Sequence, residues 1–178
     1  LGLRVHLDGA RLFNAAVATA QPVSAFLNNV DTVSLCLSKG LGAPIGSVLA
    51  GDEEVISSAV RTRKILGGGM RQVGHLAAAG IYALENNVER LAEDHANAER
   101  LAGGLARIAQ LRVTQATNMV FVTPPAQDHD RLVEHVTAQG ILIGGGRPAM
   151  RIVCHLGVDS QAVDLLVDAF RSYFDTTP

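Results

Sequence analysis

The sequence lacks any run of about 18 consecutive apolar residues, the length that a membrane-spanning helix needs. It also carries little net charge, −2 at pH 7, with acidic and basic residues interspersed. We therefore expect neither a nucleic acid nor an anionic membrane surface as a partner. The six histidines show no metal-ligand spacing such as His-x-x-x-His, so the sequence predicts no metal site.

Cysteine is scarce. The two thiols, Cys36 and Cys154, each lie inside an apolar run typical of a strand. We interpret them as buried thiols of a reducing compartment rather than as a disulfide framework, and we expect a cytoplasmic location.

The chain also begins without a methionine and without the charged start of a signal peptide. It opens with Leu1-Gly2-Leu3, almost directly on a predicted strand. We therefore expect these 178 residues to be part of a longer protein. Their length and 48% hydrophobic content suit one large domain or two small ones.

The first half of the chain alternates between patterns typical of strands and of helices. The predicted strands are residues 3–7, 33–37 and 45–50, and the predicted helices are 10–18, 23–28, 71–84 and one that begins after Asp52. In the helix after Asp52, we expect Val55, Ile56, Ala59 and Val60 to face the core. Helix 71–84 is apolar on most faces, which predicts burial in a core or at a subunit interface.

The composition shifts after Asn86, and we place a domain boundary there, between residues 1–86 and 87–178. The second part is predicted to be a small α+β domain. Its predicted helices are 88–108, 130–138 and 161–174, and its predicted strands are 118–123, 141–143 and 150–154.

Two chemically reactive side chains follow predicted strands in the first half. Asp8 ends the first strand, Lys39 follows the second, and each is followed by glycine. The chain between them is long enough for a helix and a return to a neighbouring parallel strand. Open α/β sheets bind ligands at the carboxyl ends of such strands. Pyridoxal phosphate chemistry needs this pair, a lysine for the Schiff base and an acid at the pyridinium nitrogen.

Each of these residues also has an ordinary structural interpretation. Lys39 could be a surface lysine in a loop, and Asp8-Gly9 could simply form a turn. Arg11 favours the site, because it lies one turn after Asp8 and can face the same anionic cofactor.

Two further arginines leave alternatives open. Arg71 follows three glycines before a helix, which allows an anion site, although a flexible hinge is the interpretation that the residues favour. Arg151 lies inside the apolar run 150–154, so we expect it to need a buried anion. That anion could equally be a substrate carboxylate or the acid of a structural salt bridge.

Several segments together resemble one family, the low-specificity L-threonine aldolases. The most specific are residues 6–11 (HLDGAR), 36–44 (CLSKGLGAP) and 67–72 (GGGMRQ). Residues 118–122 (NMVFV) and 151–156 (RIVCHL) extend the resemblance towards the end of the chain. The resemblance implies the aspartate-aminotransferase-like fold of pyridoxal phosphate enzymes. Residues 1–86 would be the C-terminal part of the cofactor-binding large domain, an α/β unit with a mainly parallel sheet, and residues 87–178 the small α+β domain.

The resemblance also implies roles for the candidate residues. Lys39 would form the Schiff base with pyridoxal phosphate, and Asp8 would keep the pyridinium nitrogen protonated. Arg11 would lie near the cofactor and the substrate carboxylate. Arg71 would reach the phosphate of a neighbouring subunit in a homo-oligomer, a dimer or tetramer with shared sites. Arg151 would bind the substrate carboxylate. The implied reaction is the cleavage of threonine or allo-threonine to glycine and an aldehyde.

The family carries an N-terminal half with part of the phosphate site, which has no counterpart here. We therefore expect at most three strands in the large-domain sheet, an uncovered sheet edge, and little cofactor binding or turnover by these residues alone. Two alternatives remain. One is an inactive remnant that persists through oligomer contacts, and the other is a sibling pyridoxal phosphate lyase or aminotransferase.

Overall fold

The computed structural model describes residues 2–176. The chain divides into two compact units, Leu1–Leu91 and Ala92–Pro178, and each is described by itself below. The domain boundary after Asn86 stays a prediction. It lies close to the end of the first unit at Leu91. No helix in the described part of the chain is long and apolar enough to cross a membrane.

The first unit is an α/β arrangement. Its elements are β1 (His6–Asp8), α1 (Leu12–Thr19), a short 3₁₀ helix (Val23–Phe26), β2 (Thr32–Cys36), β3 (Ser47–Gly51), α2 (Glu53–Ile65) and α3 (Gly74–Asn86). The three strands form one sheet in the order β1-β2-β3, with β1 parallel and β3 antiparallel to β2. The expected limit of three strands is confirmed, and each outer strand has one unpaired side within the described chain.

Helix α2 begins where the sequence predicted. Asp52 is its N-cap residue, Glu53 and Glu54 lie in its first turn, and Arg63 and Lys64 lie in its last turn. These charges interact favourably with the helix dipole at both ends. The predicted core face is only partly formed, because no residue of α2 is fully buried. The prediction was wrong for Val60, which is 50% exposed.

Helix α3 is buried along one side only. Gly80 and Ala83 are buried, whereas Ile81 and Tyr82 are 57% and 63% exposed. A Cβ on Gly80 would lie 2.9 Å from Leu37 Cδ1, so the helix packs closely against the end of β2. The prediction that this helix is buried in a core is therefore confirmed for one of its faces within this chain.

The second unit is an α+β arrangement with a three-stranded antiparallel sheet in the order β4-β5-β6. Its elements are α4 (Leu91–Leu105), whose first residue belongs to the first unit, β4 (Arg112–Ala116), β5 (Met119–Thr123), α5 (His129–Ala138), β6 (Met150–Val153) and α6 (Ser160–Thr176). Its core contains the fully buried side chains of Leu105, Val120, Leu132, Met150 and Phe170. Helices and strands both contribute side chains to this core, because each element buries its apolar face against another element.

One predicted strand in the second unit was wrong, and one strand was not predicted. Residues 141–143 do alternate, with Ile141 and Ile143 packed against the core and Leu142 86% exposed. They form no strand, because a strand requires a hydrogen-bonded partner and the described sheet pairs only β4, β5 and β6. Strand β4 was missed because Val113 is its only large apolar residue. It forms a tight hairpin with β5. The turn consists of Thr117 and Asn118 and contains no glycine, although glycine is common in such turns.

The cysteine prediction was right for one of the two residues. Both thiols are free, and Cys154 is buried, but Cys36 is only half-buried. Cys36 is the last residue of β2, where its side chain approaches Ser38 at 3.6 Å between Sγ and Oγ. The apolar run around Cys36 therefore does not bury the thiol.

Candidate active site

Asp8 and the segment that carries Lys39 leave the sheet at the same edge. Strands β1 and β2 are parallel, with Asp8 opposite Ser34, so both carboxyl ends point the same way. This confirms the predicted parallel neighbour. The Gly9 amide donates to Ser34 O at 2.9 Å and continues the pairing one residue beyond Asp8. A Cβ on Gly9 would lie 2.9 Å from that same oxygen, so glycine permits the close approach of the two strand ends.

The Asp8 carboxylate is exposed and fixed at one of its oxygens. Oδ1 accepts a hydrogen bond from the Ala10 amide at 3.1 Å, a short-range turn interaction that orients the carboxylate. The structure therefore bears out the turn interpretation of Asp8-Gly9 and leaves the carboxylate open to a ligand as well.

Arg11 lies just before α1 and is half-buried. Its Nε is buried, and it has no hydrogen-bond partner in the part of the chain that the structure describes. A buried N–H without an acceptor costs about 1–3 kcal/mol, so such groups normally have a partner. Arg11 is therefore suited to bind an anion at the edge that Asp8 occupies.

Lys39 is exposed and sits on a tight turn. Its carbonyl oxygen accepts from the Gly42 amide at 2.9 Å, and Leu37 O accepts from the Ala43 amide at 3.0 Å. Gly42 has a φ of +74°, which a residue with a side chain rarely adopts. The turn thus fixes the backbone of Lys39 and leaves its amine accessible.

The charge of Lys39 also acts on its neighbour Cys36. Burial alone would raise the pKa of that thiol, but hydrogen bonds from Ser38 and the nearby Lys39 ammonium outweigh it. The pKa of Cys36 is therefore lowered from its ordinary value of 9.0. The edge beside β2 is locally favourable to negative charge.

The other two predicted arginines lie on other parts of the chain. Arg71 is exposed in the connection between α2 and α3, and no described contact links it to the sheet edge. Arg151 lies in β6 of the second unit, opposite Phe121, and is exposed, so the expectation of a buried anion was wrong. Within the described residues it forms no ion pair, so the salt-bridge interpretation of Arg151 is not supported.

Sequence reasoning missed one residue that acts on the Lys39 turn. Asn87, the residue after α3, donates from Nδ2 to Leu41 O at 2.7 Å. No sequence signal could have identified it, because an asparagine at a helix end is common and its partner is 46 residues away.

The donor set at this edge fits pyridoxal phosphate. An accessible carboxylate can pair with a pyridinium N–H, and an accessible amine can bond an aldehyde. Arg11 Nε, which has no partner among residues 2–176, can bind an anion.

The chain belongs to the beta-eliminating lyase family, which matches residues 1–127. The resemblance seen in the sequence is confirmed by relatives. The low-specificity L-threonine aldolase of Escherichia coli strain K12 is 44% identical over 171 residues, covering 96% of this chain and 51% of that protein. The probable low-specificity L-threonine aldolase 2 of Arabidopsis thaliana is 42% identical over 182 residues, covering 97% and 51%.

A solved structure supports the fold. The putative L-allo-threonine aldolase of Listeria monocytogenes matches with a TM-score of 0.78 and 19% sequence identity, over 96% of this chain and 52% of that one. This match confirms the predicted fold class. The chain spans about half the length of the curated relatives described above.

Proposed function

We propose that the protein containing this chain cleaves L-threonine or L-allo-threonine to glycine and an aldehyde with pyridoxal phosphate. The observation that supports this proposal is that β1 and β2 are parallel, so Asp8 and the segment that carries Lys39 leave the sheet at the same edge. Arg11 Nε, three residues after Asp8, is buried and has no partner among the described residues. The 44% identity to a threonine aldolase supports the choice of reaction.

Each residue at the edge has a defined task. Lys39 supplies the amine that holds the cofactor covalently, and Asp8 accepts a hydrogen bond from the ring nitrogen and keeps it protonated. Arg11 binds an anionic group of the cofactor or the substrate carboxylate through its guanidinium. The cofactor, when bound, supplies the electron sink for the charge left on Cα when the Cα–Cβ bond breaks.

Two further roles extend the proposal beyond this edge. Arg71 binds the cofactor phosphate in a neighbouring subunit, and Arg151 binds the substrate carboxylate bidentately. Both side chains are exposed and have no described ion-pair partner, which leaves their guanidinium groups available. A cytoplasmic homo-oligomer, a dimer or tetramer, completes this proposal.

We also propose that residues 1–86 are the C-terminal part of the cofactor-binding domain and residues 87–178 the small domain. These 178 residues alone would then bind the cofactor weakly and turn over little. The support is that the relatives are about twice as long, and that Asp8 and Lys39 are both exposed. Aldehyde release should therefore be compared between this chain and the longer protein that contains it.

The presence of only two lysines, Lys39 and Lys64, makes a sharp test possible. The chain is incubated with pyridoxal phosphate, reduced with borohydride and mapped by peptide mass spectrometry. We expect the label on Lys39, its loss in Lys39→Ala, and its retention in the control Lys64→Ala. Equal labelling of the two lysines, both in this chain and in the longer protein that contains it, would contradict a cofactor site at this edge.

The substrate is tested separately. Release of acetaldehyde from allo-threonine by the longer protein would support aldol cleavage and exclude an aminotransferase. Release of pyruvate from serine without any aldehyde from threonine would instead indicate a β-eliminating lyase.

A further inference from the structure

The turn that carries Lys39 is held by a side chain from outside the turn. Asn87 Nδ2 donates to Leu41 O at 2.7 Å, and the two residues are 46 positions apart. Leu41 is only 3% exposed and Asn87 is half-buried, so water cannot readily replace this bond. The contact links the end of α3 to the turn.

The same turn is closely packed on its other side. A Cβ on Gly40 would lie 2.8 Å from Leu91 Cδ2 and 3.3 Å from Asn14 Oδ1. Leu91 is fully buried, and Asn14 is 3% exposed. The peptide directly after Lys39 is therefore in contact with α1 and with the start of α4.

The position of Asn87 is itself well defined. Its backbone amide donates to Ala83 O at 2.9 Å and closes the last turn of α3, and Ala83 is 1% exposed. The helix packs against the other end of the same segment, since a Cβ on Gly80 would lie 2.9 Å from Leu37 Cδ1. Helix α3 and the residue that follows it thus contact the Lys39 segment before and after the lysine.

We propose that Asn87 is a positioning residue that fixes the Lys39 turn through Leu41 O and so determines how well Lys39 captures pyridoxal phosphate. The inference rests on the proposed function. A lysine side chain has four flexible bonds, so its reach is defined only if its backbone is fixed. A reacting group gains its rate from such fixed geometry.

Asn87→Asp is the decisive variant, because it keeps the shape of the side chain and replaces the N–H donor by an oxygen that repels the Leu41 carbonyl. Asn86→Asp is the matched control. Asn86 lies next to Asn87 at the same helix end, so the control carries a similar dipole penalty, but its Nδ2 bonds only the local Tyr82 O, at 2.8 Å. Asn87→Ala removes the donor without adding charge and serves if the aspartate variant unfolds.

The first readout needs no cofactor. Hydrogen exchange at the Gly42 and Ala43 amides, which close the turn, should become about tenfold faster in Asn87→Asp. Exchange at the α6 amides of the second unit should not change. Asn86→Asp should leave the turn amides as they are. Unchanged exchange at Gly42 and Ala43 in both Asn87 variants would overturn the proposal.

The second readout is the yield of borohydride-trapped label on Lys39 over a range of pyridoxal phosphate concentrations. We expect Asn87→Asp to need several-fold more cofactor for half-maximal label, while label on Lys64 stays the same. If exchange at the turn rises but the Lys39 label does not change, Asn87 has a structural role only and the inference is wrong. If neither the unsubstituted chain nor the longer protein that contains it takes label on Lys39, the proposed function fails instead, so the two failures are distinguishable.

Discussion

Asp130 is a fully exposed carboxylate that two neighbouring side chains hold in place. His129 Nδ1 lies 3.0 Å and Arg147 Nη2 2.5 Å from Asp130 Oδ1. His129 Nε2 lies 3.0 Å from Gly146 O. These contacts tie the start of α5 to the loop before β6.

The Asp130 carboxylate predicts that the stability of the fold depends on pH. Hydrogen bonds from His129 first and Arg147 second lower the pKa of Asp130 from its ordinary value of 3.8. Because the pKa of Asp130 is lower in the folded chain than in the unfolded chain, the ionised carboxylate stabilises the fold fully at pH values above the unfolded-state pKa. This stabilisation is lost as the pH falls through the folded-state pKa. We therefore expect Asp130→Asn to lower the melting temperature at pH 7, with a difference that shrinks below about pH 4.

Thermal unfolding between pH 7 and pH 3 checks this expectation. The control is Asp175→Asn, which removes an exposed acid on α6 without a described partner. A melting difference for Asp130→Asn that stayed constant down to pH 3 would contradict the role of the ionised carboxylate.

The two thiols should differ sharply in reactivity. Burial first, and Asp94 second, raise the pKa of Cys154 to about 11, whereas the pKa of Cys36 is lowered from 9.0. The thiolate is the reactive form, so at pH 8 a thiol reagent should modify Cys36 in the folded chain and Cys154 only after unfolding.

Mass spectrometry of peptides after brief labelling identifies the modified cysteine. Cys36→Ser should abolish the fast reaction, and Cys154→Ser should preserve it. The opposite result would mean that Cys36 is not the accessible thiol.

Within the elements, two adjacent glycines in α4 offer a matched comparison. A Cβ on Gly103 would meet nothing within 4 Å, whereas one on Gly104 would lie 2.7 Å from Val167 Cγ2 and 3.0 Å from Cγ1. Val167 is buried in α6, and valine is stiff at χ1, so it cannot easily move aside.

We expect Gly103→Ala to stabilise the fold by about 0.5–1 kcal/mol, because alanine loses less backbone entropy in a helix. Gly104→Ala should instead destabilise it by about 1–3 kcal/mol through overpacking. Urea unfolding of both variants measures the difference. Equal effects would show that α4 and α6 are not in close contact at Gly104.

At the scale of the whole molecule, the second unit has a core of its own. Phe170 is fully buried there, while Leu165, on the same helix α6, is 56% exposed. Phe170→Ala should cost about 3–5 kcal/mol, since it removes a large buried side chain and leaves a cavity. Leu165→Ala should change stability by only about 0.5 kcal/mol.

The reaction of Cys154 with a thiol reagent in increasing urea reports unfolding of this unit, because Cys154 belongs to the same core. The transition should shift to lower urea in Phe170→Ala and stay nearly unchanged in Leu165→Ala. Similar shifts in the two variants would contradict the position of Phe170 in the core.

The sequence alone predicted the α/β first unit, the parallel pair β1 and β2, and the common edge of Asp8 and Lys39. These features depend on local patterns, the ends of apolar runs and the chain length between them, which any reader of the sequence can assess. The family was also recognisable, because its motifs are contiguous segments such as residues 36–44.

Tertiary structure decided the rest. Residues 141–143 alternate correctly but find no strand to pair with, and β4 forms because β5 supplies its partner. Asn87 supports the Lys39 turn only because α3 places it beside Leu41. Such pairings join residues far apart in the chain, and the free energy of a hydrogen bond or a packing contact depends on that distant partner. Local sequence patterns contain no information about which partner the fold will supply.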